Sequence, residues 1–133
     1  MKKNKIVIGL YRPMPRFYNI RHRIIKGKDS RLSNTLLDCG GQITIGKNVF
    51  FGHDCMVLTG EHDYTKRGKE RRNNVSYKPI TIKDGAWIAS GVIILGGVTI
   101  GKNSVVGAGS LVTKDIPDNE LWFGSPARFH KKI

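Results

Sequence analysis

The sequence predicts an all-β fold, a parallel β-helix, and three observations carry that expectation. An apolar residue returns at every sixth position: Ile45, Phe51 and Val57, then Ile82, Ile88, Ile94, Ile100, Val106 and Val112. Four positions after these leads stand Val49, Cys55, Ala86, Val92, Val98, Ser104 and Ser110, all small or β-branched. Between them fall "GKN" (46–48), "KDG" (83–85) and "GKN" (101–103), whose glycines and asparagines tolerate the positive φ of a corner. A period of six matches neither a helix of 3.6 residues per turn nor one long strand. It matches a chain that lays down one short flat side per hexad and then turns, so that lead and small residues point inward and stack on their counterparts about 4.8 Å away.

The elements follow in order. Residues 1–31 lie outside the count and are expected to cap one end of the prism. The entries "ITI" (43–45), "ITI" (80–82) and "VTI" (98–100) open hexads and allow partial ones at 39–44 and 76–81. The β-helix then covers 32–118, about four coils. It is interrupted once, within "VLTGEHDYTKRGKERRNNVSYKP" (57–79), where residues of about 63–75 are expected to protrude as a loop. Such an insertion is tolerated because loop-closure cost grows slowly with length. In the final segment, 119–133, "GSPARFHKKI" predicts a strand and a short helix with Ser125 as N-cap and Pro126 at its first position. The whole of 1–133 reads as a single domain. A short prism with open ends and flat sides is expected to bury those sides against other copies.

Composition narrows the class of function. The chain has 23 Lys and Arg against 10 Asp and Glu, a net charge of +13, which favours anionic partners. Cys39 and Cys55 show no CxxC spacing and suggest reduced thiols in a cytoplasmic protein. The apolar run Ile6–Leu10 is too short for a signal peptide, and the weakly polar stretch Trp87–Ile100 is too short to span a bilayer, so no transmembrane segment is expected.

Residues 80–128, "ITIKDGAWIASGVIILGGVTIGKNSVVGAGSLVTKDIPDNELWFGSPAR", resemble the hexapeptide-repeat acyltransferases, with "VVGAGSLVTKDIP" the most specific run. The likeness extends over roughly 32–130 and is nearest the galactoside and maltose O-acetyltransferases and those of capsule and exopolysaccharide assembly. It implies a left-handed winding and a homotrimer with active sites between subunits. The implied reaction is acetyl transfer from acetyl-CoA to a hydroxyl of a sugar or glycan precursor, without a metal.

The resemblance also distributes roles. The interrupting loop of the family carries its general base, and here "TGEHDY" puts His62 at that place. Imidazole suits the task, because a sugar hydroxyl hardly ionises near neutrality and must lose its proton as bonding develops. Glu61 or Asp63 is placed to orient the other ring nitrogen, or else is a solvated loop charge. Ser90 and Ala108 would contact the pantetheine arm or thioester of CoA, although hexads need small residues there anyway. Thr113, Lys114 and Arg128, with Lys131, would lie near its phosphates, as cations should. Trp87 matches a tryptophan of the family and, beside a sugar or CoA groove, would be a contact or else an edge of the core. The asparagine and aspartate that hold the acceptor in such enzymes have no counterpart in register: Leu32 and Gly40 occupy those places, and Asn34 and Asp38, each two residues out of register in opposite senses, could substitute as acceptor ligands only if the backbone shifts. Lys66, Arg67, Lys69, Arg71 and Arg72 could attract an anionic acceptor.

Other readings remain open at this level. N-acetylation of an amino sugar or sugar nucleotide uses the same prism and base. Gamma-class carbonic anhydrases share the prism but need three histidines at zinc, and His53 and His62 lack their spacing. The positive charge permits a nucleic-acid-binding module, but no recognised nucleic-acid motif accompanies it.

Overall fold

In a computed structural model, residues 14–19 and 24–133 are described, and the chain winds through three sheets in strict rotation. One sheet takes β1 (Arg16–Tyr18), β3 (Leu36–Asp38), β6 (Met56–Leu58), β11 (Ile93–Leu95) and β14 (Leu111–Val112), all parallel. A second takes β2 (Ile25–Lys26), β4 (Ile43–Ile45), β9 (Ile80–Ile82) and β12 (Thr99–Ile100), again all parallel. The third takes β5 (Phe50–Phe51), β10 (Trp87–Ile88), β13 (Val105–Val106) and β15 (Glu120–Gly124), with β16 (Ala127–Lys132) antiparallel at its edge. The chain is therefore a parallel β-helix. We name these the first, second and third sheets.

The sixfold leads fill the interior. Ile45 pairs with Ile82 and Ile82 with Ile100; Val57 pairs with Ile94 and Ile94 with Val112. All of these side chains are buried, as are Val49, Cys55, Ala86, Val92, Val98, Ser104 and Ser110. The polar members are satisfied locally: Ser110 Oγ donates to the Gly107 carbonyl at 2.6 Å and accepts from Gly124 N at 3.1 Å. At the corners Asn48, Gly85 and Asn103 take φ of 55°, 74° and 55°, as "GKN" and "KDG" require. At Gly85 a Cβ would also stand 2.1 Å from Asn103 Oδ1 of the next turn, a side-chain end that can move aside, so φ is what calls for glycine there.

The segment expected only as a cap takes part in the winding. β1 pairs with β3, β2 with β4, and Arg31 bridges Phe50, so the described part of 16–31 adds a strand to each of the first two sheets and a single bridge to the third. The rest of that expectation, residues 1–13 and 20–23, lies outside the described residues.

The C-terminal helix is a correction. β15 and β16 form an antiparallel hairpin, with Ser125–Pro126, a cis peptide bond, at the turn. A helix over 127–132 would have only six residues and no apolar stripe, too little to stand alone. The free edge of β13 instead offers main-chain partners to β15, and β15 to β16. Ala127 is buried and Phe123 packs on His130 at 4.8 Å between ring centroids. No helix among the described residues is long and apolar enough to cross a membrane.

Candidate active site

The broken register at 57–79 is an ordered hairpin. It leaves the prism after Thr59 and returns at Lys78, whose N donates to the Thr59 carbonyl at 2.9 Å. β7 (Gly60–His62) and β8 (Val75–Tyr77) pair antiparallel, and a short helix, α1 (Gly68–Asn73), closes the tip. The insertion thus begins at Gly60, earlier than the loop expected from about 63.

Its root is held by Asp38. One carboxylate oxygen accepts from Gly60 N at 3.0 Å; the other accepts from Asn19 Nδ2 at 2.9 Å and Gly40 N at 3.3 Å. A Cβ at Gly40 would stand 2.0 Å from the Tyr77 ring, so Tyr77 occupies the space a side chain at position 40 would need. Asn34 is elsewhere. It donates to Asp54 Oδ1 at 2.7 Å and accepts from Asp54 N at 2.8 Å, pinning the corner that joins the third sheet to the first. The two residues singled out near the acceptor are therefore not brought together.

His62, exposed at the end of β7, borders an open pocket of about 450 Å³ whose walls include Asp63, Tyr64, Asn73, Asn74 and Ser76. Its Nδ1 lies 3.0 Å from the main-chain oxygen of Arg71. A carbonyl can only accept, so Nδ1 carries a hydrogen and donates it; in the neutral ring Nε2 is then the unprotonated nitrogen. The bond persists in the imidazolium form, in which both nitrogens are donors. The ring can gain and lose a proton at Nε2 without losing its anchor.

Neither carboxylate considered for that orienting role fills it. Asp63 Oδ1 accepts from Thr65 N at 3.0 Å and Thr65 Oγ1 at 2.6 Å, and these bonds hold its carboxyl below the usual aspartate range. Glu61 precedes His62 on an extended strand, where neighbouring side chains point to opposite faces, and pairs with Lys78 at 3.8 Å. The Arg71 carbonyl was not legible in the sequence, because any residue could have supplied it. Within the basic run, Arg71 is also not a free charge: Nε donates to the Lys66 carbonyl at 2.8 Å and Nη2 to the Tyr64 carbonyl at 3.2 Å. None of the loop's cations lines the pocket.

The residues singled out for CoA fall at three places. At the corner between the third and first sheets, Ser90 Oγ accepts from His53 N at 2.9 Å, and the Ser90 carbonyl accepts from Gly109 N at 2.9 Å. Ser90 and Ala108 are exposed there on successive turns, beside Gly91 and Gly109 with φ of 70° and 71°. A Cβ on Gly109 would meet nothing within 4 Å, so this corner presents open backbone. Trp87 lies on the outer face of the third sheet, stacked on Phe50 with centroids 5.6 Å apart. Arg128 and Lys131 are exposed on β16. Thr113 and Lys114 follow β14 and sit at the opposite end of the first sheet's strands, the end from which the hairpin with His62 also springs. Ser90 precedes β11 and His62 lies on the hairpin that leaves after β6, so within one chain they stand at opposite ends of that sheet's strands. His53 lies with Ser90, so one chain does not bring the two histidines together.

A winding prism with one imidazole-bearing hairpin and an open, glycine-lined corner defines a narrow class of protein, and comparison with known proteins gives the same class. Two family descriptions match, bacterial transferase hexapeptide (six repeats) over residues 79–114 and hexapeptide repeat of succinyl-transferase over 42–60. The galactoside O-acetyltransferase of Lactococcus lactis subsp. lactis is 46% identical over 103 residues, 74% of this chain and 47% of that protein. The crystal structure of a maltose O-acetyltransferase from Clostridium difficile 630 superposes with a TM-score of 0.78 at 37% identity, covering 89% of this chain and 63% of that one. A hexapeptide-repeat containing acetyltransferase from Vibrio cholerae, solved in complex with acetyl coenzyme A, gives 0.69 at 31% identity, covering 84% and 68%. The chain belongs to the hexapeptide-repeat acetyltransferase family. It spans about half the length of the galactoside acetyltransferase it matches.

Proposed function

We propose that this chain is an acetyl-CoA-dependent O-acetyltransferase acting on a hydroxyl of a sugar or glycan, with His62 as general base. The observation that carries the proposal is the hydrogen bond from His62 Nδ1 to the Arg71 carbonyl, which leaves Nε2 as the basic nitrogen in a pocket wide enough for a sugar. Nε2 accepts the acceptor's hydroxyl proton while the oxygen attacks the thioester carbonyl, and the departing thiolate takes up the proton. Imidazole does this at neutral pH without forming a charged alkoxide first.

The donor end of the site is read from the open corner. Ser90, Ala108 and the adjoining backbone present exposed main-chain groups suited to the amide-rich pantetheine arm. Arg128, Lys131 and Lys114 are exposed cations suited to phosphate. Because His62 and Ser90 stand at opposite ends of one sheet's strands, the site is completed by a neighbouring copy, and a homotrimer of the family's kind supplies it. Likeness to galactoside and maltose O-acetyltransferases supports a sugar hydroxyl as acceptor.

The test is thiol release from acetyl-CoA against a panel of sugars, amino sugars, sugar nucleotides and oligosaccharides. The expected product is an ester, cleaved by hydroxylamine; a hydroxylamine-stable amide would replace O-transfer by N-transfer. His62→Ala should lower kcat by roughly 10²–10⁴, the usual share of general acid–base catalysis, while acetyl-CoA binding persists. A folded variant with near-normal turnover would sink the assignment of the base.

A further inference from the structure

We propose that Arg71 is a positioning residue for His62, a role that rests on the reading of His62 as the base. The argument begins with α1. It has six residues and none is buried, so neither apolar packing nor intrinsic helix stability fixes its place. What fixes it is a small set of polar ties across the hairpin, and Arg71 makes three of those described. Its guanidinium reaches back to the carbonyls of Lys66 and Tyr64, and its own carbonyl accepts from the His62 ring. Further ties run along the same strip, from Asp63 N to the Asn74 carbonyl at 3.0 Å and, capping α1 itself, from Asn74 N and Nδ2 to the Glu70 carbonyl at 2.9 and 2.7 Å.

The two ends of Arg71 do different work. The planar guanidinium donates to two carbonyls of the 64–66 turn at once, which a lysine ammonium on a flexible stem does not reproduce. That grip holds the helix against β7, and so holds the Arg71 carbonyl 3.0 Å from Nδ1. The side chain thereby sets the tautomer and orientation of the imidazole without approaching the acceptor. A cation whose place in the basic run allows it to attract an anionic acceptor is here committed to the hairpin's own backbone.

The proposal separates cleanly from simple charge. If Arg71 positions the ring, Arg71→Ala should lower kcat by roughly ten- to a hundred-fold, the cost of a misplaced catalytic group, with the KM values for acetyl-CoA and acceptor little changed. Arg71→Lys, which keeps the charge, should recover only a minor part. Long-range proton–nitrogen NMR of histidine-labelled protein should show the neutral His62 ring protonated at Nδ1 in the wild type, and a mixture of tautomers in Arg71→Ala. Thermal unfolding of both variants should match the wild type, since the core is untouched. An Arg71→Ala protein with unchanged kcat and an unchanged ring tautomer would overturn the proposal and leave the base assignment standing. Full recovery by lysine, or a loss confined to acceptor KM and abolished by salt, would overturn it in favour of charge steering. If His62→Ala kept its turnover while Arg71→Ala still released the tautomer, the base assignment would fail instead.

Discussion

The stacked prism and the hairpin at 60–77 are held together by different physics. In the prism every sixth side chain is fully buried on its neighbour one turn away, and each layer supports the next. In the hairpin almost nothing is buried; its helix carries no buried residue and its order comes from main-chain carbonyls, two carboxylates and one guanidinium. Apolar burial is insensitive to which groups happen to be charged, whereas a polar network depends on protonation and on single donors. The division teaches where chemistry can be placed. A ring proposed as a base needs a setting that can be tuned residue by residue, and the repeat leaves no such freedom inside.

The largest expected effect lies in the prism. Ile94→Ala, in the middle of the first sheet with Val57 below and Val112 above, should destabilise the protein by about 2–5 kcal/mol through lost burial and a residual cavity. The exposed Lys69→Ala should stay within about 0.5 kcal/mol. Chemical denaturation at fixed protein concentration measures both. Equal losses at the two positions would erase the contrast between regions.

A smaller effect is expected at two of the cations proposed to meet CoA phosphates. Lys114→Ala and Arg128→Ala should each raise the KM for acetyl-CoA several-fold with little change in kcat, and the difference should shrink as salt rises. Unchanged KM at low salt in both variants would return these residues to ordinary surface charge. The positions sharpen the comparison because both sit outside the hairpin, on the rigid scaffold.

The smallest effect concerns acid. Thr65 holds the Asp63 carboxyl below its usual range, so Asp63 stabilises the folded hairpin above the ordinary aspartate pKa of about 3.9, and that contribution is lost as pH falls through the lower folded value. Amide exchange at Thr65 should quicken in that window while the buried strands stay protected. Asp63→Asn should flatten the dependence. The core thiols give the complementary control: burial pushes Cys39 and Cys55 upward, so both should resist alkylation until the prism unfolds.

Much of this was legible beforehand, and the reason is periodicity. The inward positions, the corner residues Asn48, Gly85 and Asn103, and the place where the count fails all follow from spacing, because a repeat forces the same environment on each sixth residue. In the last segment Ser125 and Pro126 make a good N-cap pair locally, and that local signal points to a helix. The free edge of β13, a non-local feature, decides for a strand. Asp38 could be picked out near the site, but its task of anchoring Gly60 required the fold, and Asn34 proved to serve a different corner.

By itself, then, the sequence determined the winding, the core and the presence of an imidazole at the break, since these depend on residue type and interval alone. The tertiary structure decided which group faces that imidazole. The partner is a main-chain oxygen nine residues along the chain, brought near by a hairpin and a six-residue helix. Every residue carries such an oxygen, so no side-chain pattern marks it. Only the backbone's path in space selects Arg71.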